Sequence, residues 1–343
     1  MTTAVGSYAV EPLDAQTASD ADLNALAGFG QAMDAERMPE DPPTPLPLRV
    51  RRLRNRPPTM EPRRWVVREG SLVIASAALV RWTNLTNPDW RELAIDVRAD
   101  RRRRGIARTL LATAAGVCGD GIVLSFDTSD RVPAGAGFAK RIGAKAGLEA
   151  RISETRLAEL DRAMVAEWAR IDPAGYRLVW IDDDIPGELL ENVLVAYNAM
   201  NTAPKGALTF GEETATAEMV RGWERMRHRN GGLQRIALAV HEATGETAGY
   251  TEVARHPDTP WIVGQHGTAV IPAHRGRGIG KWLKARMIER IVAEWPDAER
   301  IRTGNAYVNA PMLSINDRLG FRVTFSATVW EIAIARVRDY LAG

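Results

Sequence analysis

The chain has a single cysteine and no long apolar run. Cys118 is the only cysteine among 343 residues, which excludes a disulfide within the chain and predicts a reducing compartment. No apolar stretch reaches the roughly 18 residues of a transmembrane helix, and residues 1–20 lack the basic and apolar regions of a secretory signal. The sequence therefore predicts a cytoplasmic protein that does not enter a membrane.

Net charge is also nearly absent. Lys and Arg together number 45 and Asp and Glu 43, so the formal charge of +2 predicts no general attraction to nucleic acid. Arginine is locally dense at 49–56, where we expect a basic helix with a solvated face. Cys118 follows a predicted helix with no histidine partner in the nearby sequence, so we expect a buried, inert thiol.

What the chain does contain is a repeated signal. Residues 97–107 (Val-Arg-Ala-Asp-Arg-Arg-Arg-Arg-Gly-Ile-Ala) align without a gap with residues 270–280 (Val-Ile-Pro-Ala-His-Arg-Gly-Arg-Gly-Ile-Gly), at an offset of 173 residues. That offset is half of a chain long enough for two domains with separate cores. The repeat predicts one domain at 1–150, a connecting helix at 151–171 and a second domain at 172–343.

Each copy of the signal lies between a predicted strand and a predicted helix. Apolar runs bounded by turn residues predict strands at 65–68, 72–82, 91–97, 122–126, 176–181, 234–241, 249–254, 261–271, 301–305 and 324–332. Helical periodicity predicts helices at 19–33, 136–144, 186–200 and 215–228, and helices that follow the two signals at 108–115 and 281–295.

The signal suits an anionic ligand. The first turn of a helix exposes N–H groups without a partner, and glycines let the backbone approach a diphosphate closely. Arg102, Arg104, Arg275 and Arg277 add positive charge. The alternative is a basic helix start on a solvated surface, but the strand before and the helix after both copies favour a phosphate cradle.

These residues resemble a known family. Arg-x-x-Gly-x-Gly at 275–280 resembles the acyl-coenzyme A pyrophosphate motif of the GNAT N-acetyltransferase superfamily, and Arg-x-x-Gly-x-Ala at 102–107 is a close variant. Residues 305–321 resemble the strand, helix and closing Leu-Gly-Phe of that family. Residues 141–144 (Arg-Ile-Gly-Ala) are a less complete version of the same closing segment. The tandem layout is similar to that of mycothiol synthase and of actinomycete natural-product acetyltransferases.

The resemblance implies a fold and a set of coenzyme contacts. The expected fold is α/β (α+β), with two tandem domains that each have a mixed, mostly antiparallel sheet flanked by helices. The expected cosubstrate is acetyl-coenzyme A (acyl-coenzyme A), without a metal. The implied contact residues are Ala269, Val270, Ile271, Arg275, Gly276, Arg277, Gly278, Ile279, Gly280, Lys281, Asn305, Asn309 and Asn316. A possible second coenzyme site comprises Val97, Arg102, Arg103, Arg104, Gly105, Ile106 and Ala107.

Two residues are candidates for the catalytic base that deprotonates an amine. Glu252 lies in a predicted strand beside apolar residues, and its alternative is an outward, solvated position. His266 is the rival because its pKa lies near neutral pH, although a lone strand histidine is more often structural. Either would act by general base catalysis, since an alkyl ammonium of pKa ~10 is not nucleophilic at neutral pH.

One position departs from the family pattern. Many members have a tyrosine four residues before the glycine of the closing Gly-Phe, where it protonates the thiolate, and this chain has Asn316 there. An amide is no general acid, so water or another residue such as Tyr307 would supply the proton. The first copy has Lys140 at the matching place and Ala107 for the second motif glycine, which predicts doubtful catalysis there.

The sequence thus predicts a monomeric N-acetyltransferase that acts on a primary amine of a small molecule, with the C-terminal half as catalyst. Two alternatives remain at this point: a non-catalytic coenzyme A-binding or partner-binding protein, and an acetyltransferase for proteins. No nucleic-acid or membrane partner is expected.

Overall fold

The computed structural model describes residues 3–4 and 8–343. The strands are β1 (Thr3–Ala4), β2 (Ala9–Pro12), β3 (Met60–Glu69), β4 (Leu72–Trp82), β5 (Trp90–Val97), β6 (Val123–Ser129), β7 (Lys145–Arg156), β8 (Tyr176–Asp182), β9 (Leu233–His241), β10 (Thr247–His256), β11 (Thr259–Val270), β12 (Arg300–Ala306) and β13 (Arg322–Ala333). The helices are α1 (Asp20–Arg37), α2 (Leu46–Arg54), α3 (Ile106–Gly116), α4 (Pro133–Arg141), α5 (Arg162–Ala169), α6 (Leu190–Asn198), α7 (Ala217–Asn230), α8 (Ile279–Glu294), α9 (Ala310–Arg318) and α10 (Ile334–Ala342).

The chain divides into two compact units. Unit 1 comprises the part up to Glu149 with Gly206–Glu212 and Ser326–Gly343, and unit 2 comprises Ala150–Lys205 with Glu213–Phe325. In unit 1 the strand order is β1-β2-β3-β4-β5-β6-β13, and in unit 2 it is β7-β12-β11-β10-β9-β8. Neighbouring strands are antiparallel in both units except for β5 with β6 and β11 with β12. The fold is therefore α/β, with two mixed, mostly antiparallel sheets.

Each sheet is completed by a strand from the other half of the sequence. Residues 150–156 of β7 pair with β12 in unit 2, in a register from Arg300↔Arg156 to Ala306↔Ala150. Residues 327–333 of β13 pair with β6 in unit 1, and α10 follows there. The predicted connecting helix at 151–171 is thus wrong over most of its length: it is strand up to Arg156, and only α5 is α-helical.

Helices cover both faces of each sheet. In unit 2, one apolar cluster lies under α5 and α8 and includes Trp168, Leu283 and Ile301, and another lies under α6 and α7 and includes Val193 and Ile236. Unit 1 has one cluster under α3 and α10 and another under α1 and α2. Burial of such side chains contributes about 1.5–3 kcal/mol each, so both faces hold the central strands in place.

Candidate active site

The sheet of unit 2 opens between β11 and β12. Among the described residues these parallel strands pair only where 262–264 face 300–302. Beyond Gly264, β11 continues to pair with β10, and beyond Arg302, β12 continues to pair with β7. The two strands therefore form a fork, whose inner edges carry backbone groups that need other partners.

A bulge lies beside the fork. Thr251 of β10 pairs with Thr268 of β11, whereas Val253 pairs with Gln265, so β11 has one extra residue there. Gln265 Nε2 donates to Thr251 Oγ1 (3.1 Å), and the hydroxyls of Thr251 and Thr268 are 2.8 Å apart. Regular alternation would put Gln265 and Thr268 on opposite faces. The bulge thus brings both side chains to one face and bends the strand at the fork.

The last residue of β11 directs its backbone into the fork. Arg275 Nε donates to the carbonyl oxygen of Val270 (3.0 Å), so this carbonyl points away from β10. In an antiparallel strand the N–H of a residue points to the same side as its carbonyl, which places the Val270 N–H at the fork. Ile271 N–H is instead occupied, because it donates to Ala248 O (2.8 Å). Ala269 alternates with Val270 and faces β10.

The helix α8 begins after two glycines in the left-handed region. Gly276 and Gly278 both have φ of +79°. A Cβ added at Gly276 would meet nothing within 4 Å, and one added at Gly278 would lie 3.1 Å from Ile171. Ile279 is 1% exposed and anchors the helix in the core. The first-turn N–H groups of α8 therefore face an open cradle that fits a diphosphate.

The basic side chains of this segment are held by specific partners. Arg275 Nη2 donates to Thr202 Oγ1 (2.9 Å). Arg277 Nη1 donates to the Tyr176 hydroxyl (2.7 Å), which also bonds to His274 Nδ1 (2.9 Å). The arginines thus fix the shape of the turn as well as contribute charge. Lys281 lies with its Nζ 5.3 Å from the ring of Trp168, and Gly280 packs near Ile315 and Val270.

Glu252 lies in a polar cluster on the opposite face of β10 from Thr251. Its carboxylate accepts a hydrogen bond from Gln234 Nε2 (2.7 Å) and one from the Tyr197 hydroxyl. Burial, reinforced by the Glu252 charge, raises the pKa of Tyr197 and of Tyr250, so both phenols stay protonated. The Tyr197 and Tyr250 rings lie edge to face, 5.6 Å apart, and Trp223 packs beside Tyr197. Glu252 is therefore a half-buried, oriented carboxylate rather than a solvated one.

His266, the other candidate base, and Asn309, a predicted coenzyme contact, have surroundings that differ from those of Glu252. His266 lies on the bulge of β11 and is exposed. Asn309 Oδ1 accepts a hydrogen bond from Met312 N–H (3.4 Å) and so caps the N-terminus of α9. Asparagine is common at this position of a helix, so capping alone explains the residue. Tyr307 is 42% exposed just beyond β12. Neither His266 nor Tyr307 has the oriented environment of Glu252.

Asn316 takes part in a buried chain of hydrogen bonds. Lys284 Nζ on α8 donates to Asn316 Oδ1 (2.6 Å), and Asn316 Nδ2 donates to Asn305 Oδ1 on β12 (2.7 Å). Lys284 is 2% exposed, and its Nζ lies 5.4 Å from the ring of Phe321. Burial lowers the pKa of Lys284 to about 7. No carboxylate in the described part of the chain forms an ion pair with it.

The first copy of the motif has the same backbone with different chemistry. Gly105 has φ of +84°, and Arg103, at the position of Gly276, has φ of +62°. Arg102 Nε donates to Val97 O (3.1 Å), as Arg275 does to Val270, but its guanidinium also binds both carboxylate oxygens of Glu36. The charge of this cradle is therefore partly neutralised.

The fork exists in unit 1 as well, without its polar lining. β5 and β6 pair only at 90–92 with 123–125 in the described residues. Glu92 accepts from Trp82 Nε1 (2.8 Å) and Asp96 forms an ion pair with Arg37, which agrees with structural roles. Ile106 is buried at the start of α3, and Arg104 and Gly105 are exposed. Ala107 follows in the first turn of that helix.

The position equivalent to Asn316 in unit 1 is Ala139. Phe321 N–H donates to Asn316 O, and Ala144 N–H donates to Ala139 O in the same turn. The prediction of Lys140 at this place is therefore wrong by one residue. By the motif offset of 173 residues, Leu111 of unit 1 is equivalent to Lys284 of unit 2. Both Ala139 and Leu111 are fully buried.

Several residues of the site were not identified from sequence. Tyr197 lies on a helix distant in sequence from β10, and Lys284 looks like a solvated helix residue. Thr251 and Gln265 have no motif that marks them. Lys284 could have been identified from the repeat, because the motif offset aligns it with Leu111. A lysine aligned with a core leucine indicates a buried amine.

Comparison with known proteins finds a family match in the second half of the chain and similar structures over its whole length. Residues 198–321 match the family model of the GNAT acetyltransferases. A tandem GNAT protein from the clavulanic acid biosynthesis pathway, solved without acetyl-coenzyme A, has 26% identity and a TM-score of 0.78, over 96% of this chain and 99% of that one. A GCN5-related N-acetyltransferase from Sphaerobacter thermophilus has the same fold at 14% identity and TM-score 0.66, over 97% of each chain. No curated protein sequence gives a significant match.

Two further properties accompany this likeness. In residues 3–4 and 8–343, no helix combines the length and apolarity needed to cross a membrane. Within the same residues, no group of three or more His, Cys, Asp or Glu side chains is arranged to hold a metal ion. The family model covers the fork, the cradle and Asn316, and the likeness to a tandem protein extends over both units. Residues 198–321 thus match the GNAT acetyltransferase family, and the chain is similar over both units to a tandem GNAT protein.

Proposed function

We propose that unit 2 transfers an acetyl group from acetyl-coenzyme A to a primary amine of a small molecule, such as an amino sugar or a natural-product amine. The observation that carries this proposal is the fork between β11 and β12, which has the Val270 N–H at its edge and the cradle of α8 at its end. Acetyl-coenzyme A supplies a diphosphate for the cradle and an activated acyl group for the fork.

The residues of unit 2 supply the groups that amine acetylation needs. The Val270 N–H donates to the acyl oxygen as negative charge develops there. Glu252, held by Gln234 and Tyr197, accepts a proton from the substrate ammonium, directly or through water, and the free amine then attacks the acyl carbon. Backbone at 276–280 binds the diphosphate, with Arg275 and Arg277 fixing the turn.

The face of β10 that carries Glu252 supports an amine as acceptor. The Tyr197 hydroxyl bonds to the carboxylate, and the Tyr197 ring contacts those of Tyr250 and Trp223. Aromatic faces and a carboxylate both attract a cation, so an ammonium group suits this place. The likeness to a protein of the clavulanic acid pathway favours a small acceptor over a protein one.

Calorimetric titration with acetyl-coenzyme A tests the cradle. A side chain at Gly276 meets no atom within 4 Å, and Arg103 shows that a non-glycine residue adopts this conformation in unit 1. Gly276→Glu and Gly276→Gln have nearly the same shape and differ in charge. We expect the glutamate variant to bind at least about tenfold more weakly than the glutamine variant, because its carboxylate repels the diphosphate.

Arg103→Glu provides the matched control in unit 1. If binding to unit 2 alone accounts for the titration, Arg103→Glu leaves it unchanged. Equal loss from both glutamate variants would assign a second coenzyme site to unit 1. Absence of binding to the wild-type chain would overturn the proposed acetyl transfer.

A further inference from the structure

The buried lysine of α8 has no task in the steps given so far. Taking an ammonium out of water costs several kcal/mol unless charge and hydrogen bonds compensate. In the described part of the chain, Lys284 has no carboxylate partner, and its oxygen acceptor is Asn316. Unit 1 has the apolar pair Leu111 and Ala139 at these places, so the fold itself does not require the polar pair.

The lysine sets the direction of the whole chain of hydrogen bonds. An ammonium can only donate, so the side-chain oxygen of Asn316 must face Lys284 and its NH₂ group must face Asn305. Asn305 then accepts with its oxygen. Its own NH₂ group is left as the end of the chain, and among the described residues it has no hydrogen-bond partner. Each donor in such a chain is polarised by the one before it.

The end of the chain lies at the open part of the fork. Thr303 Oγ1 donates across to Gln265 O (3.4 Å), which marks where β12 leaves β11. Asn305 is two residues farther along β12, on the same face as Thr303 and beyond the last pair with β11. Its free N–H groups are therefore available to a ligand in the fork.

We propose that Lys284, Asn316 and Asn305 form a polarised hydrogen-bond relay that stabilises the thiolate sulfur of coenzyme A. When the amine nitrogen bonds to the acyl carbon, the C–S bond breaks and its electron pair stays on sulfur. Asn305 N–H donates to this sulfur, with the ammonium of Lys284 behind it, and no proton passes through the amides. Lys284 and Asn316 are positioning residues. This role rests on the proposed function, and it accounts for the loss of a tyrosine at position 316.

The relay is tested on the coenzyme thiol itself, without an acceptor amine. Coenzyme A is bound to the full-length chain, and the ultraviolet absorbance of its thiolate is followed against pH, with the coenzyme-free protein as the blank for Cys118. A free thiol has a pKa of about 8.5, and a donor that stabilises the thiolate lowers it. Because Lys284 itself ionises near pH 7, the two proteins are compared below that pH, where the side chain is still an ammonium. At about pH 6.5 we expect the thiolate fraction of coenzyme A bound to Lys284→Met to be about tenfold smaller than that of coenzyme A bound to wild type.

Two further variants separate the relay from a change in folding. Arg286→Met removes a charge from the exposed side of α8, where Arg286 pairs with Glu289 (3.2 Å), and should leave the thiol titration unchanged. Asn316→Asp keeps a partner for Lys284 but turns the acceptor into an anion, so it should raise the thiol pKa. A rise with Asn316→Asp supports the relay even if Lys284→Met fails to fold.

The outcomes are distinct. Coenzyme A that binds and titrates alike in wild type, Lys284→Met and Asn316→Asp overturns the relay and leaves the proposed function intact. An equal shift from Arg286→Met would also overturn it, because the general charge of α8 would then explain the effect. Coenzyme A that fails to bind wild type overturns both proposals.

Discussion

The two units share a backbone plan but differ in what lines the fork. By strand register, Thr251, Glu252 and Gln265 of unit 2 correspond to Ala77, Ala78 and Leu93 of unit 1. β4 and β5 pair without a shift, whereas β10 and β11 are interrupted by the bulge. The backbone of the cradle is therefore similar in both units, although only unit 2 has polar side chains beside it. A match to the motif alone does not identify the catalytic copy.

The cradles differ in a related way. Arg103 occupies the left-handed position that Gly276 occupies in unit 2, and Glu36 binds Arg102. A non-glycine residue in this conformation costs roughly 1–2 kcal/mol. Unit 1 therefore maintains a strained, partly neutralised turn, which fits a structural copy better than a second catalyst.

The largest expected effect comes from removing the negative charge of Glu252, which its counterpart Ala78 in unit 1 also lacks. Glu252→Gln retains the size and the hydrogen bonds of the side chain but removes the base. We expect kcat/KM for amine acetylation to fall about 10²–10⁴-fold with coenzyme binding unchanged. His266→Ala is the control and should retain activity. The assignment is wrong if His266→Ala loses activity and Glu252→Gln does not.

The next effect concerns stability and pH. Lys284 ionises near pH 7 in the fold and at 10.5 in its ordinary state, so between these values the unfolded chain holds more protons. Stability should therefore rise with pH in this window, by about 1.4 kcal/mol per pH unit from this group. Guanidinium unfolding of wild type and Lys284→Met at pH 7.5 and 9.5 measures the difference. An identical pH dependence in both proteins would show that Lys284 titrates normally.

The smallest effect concerns the strained turn of unit 1. Arg103→Gly should relieve the left-handed strain and stabilise the chain by up to about 1 kcal/mol, after the greater unfolded freedom of glycine is subtracted. Gly276→Arg should have the opposite sign. Thermal unfolding of both variants tests this, and a lower Tm for Arg103→Gly would mean that Arg103 makes contacts worth more than its strain.

Local patterns were sufficient for much of the site. The apolar runs predicted most central strands within a few residues, and the glycine-arginine signal located both cradles, because these features depend on neighbouring residues. The network around Glu252 was not predictable, since Tyr197 and Gln234 reach it from elements that meet only in the folded sheet. Lys284 was missed for the same reason: burial of one helix residue depends on what packs over it.

The exchange of strands between the two halves could not be predicted from local sequence patterns either. Residues 151–156 of β7 were predicted as the start of a helix, although residues 150–156 pair with β12 about 150 positions later. Register between distant strands depends on which edges are unpaired in three dimensions. The boundaries predicted from the repeat consequently differ from those of the compact units, in which Gly206–Glu212 and Ser326–Gly343 belong to unit 1.

This exchange has a consequence for synthesis on the ribosome. β6 leaves the exit tunnel early, yet the strand that covers its edge is β13, whose residues 327–333 follow about 200 positions later. Until β13 is synthesised, unit 1 presents an open strand edge, and such edges recruit other chains. We therefore expect a chain truncated before β13 to aggregate more readily than the full-length chain.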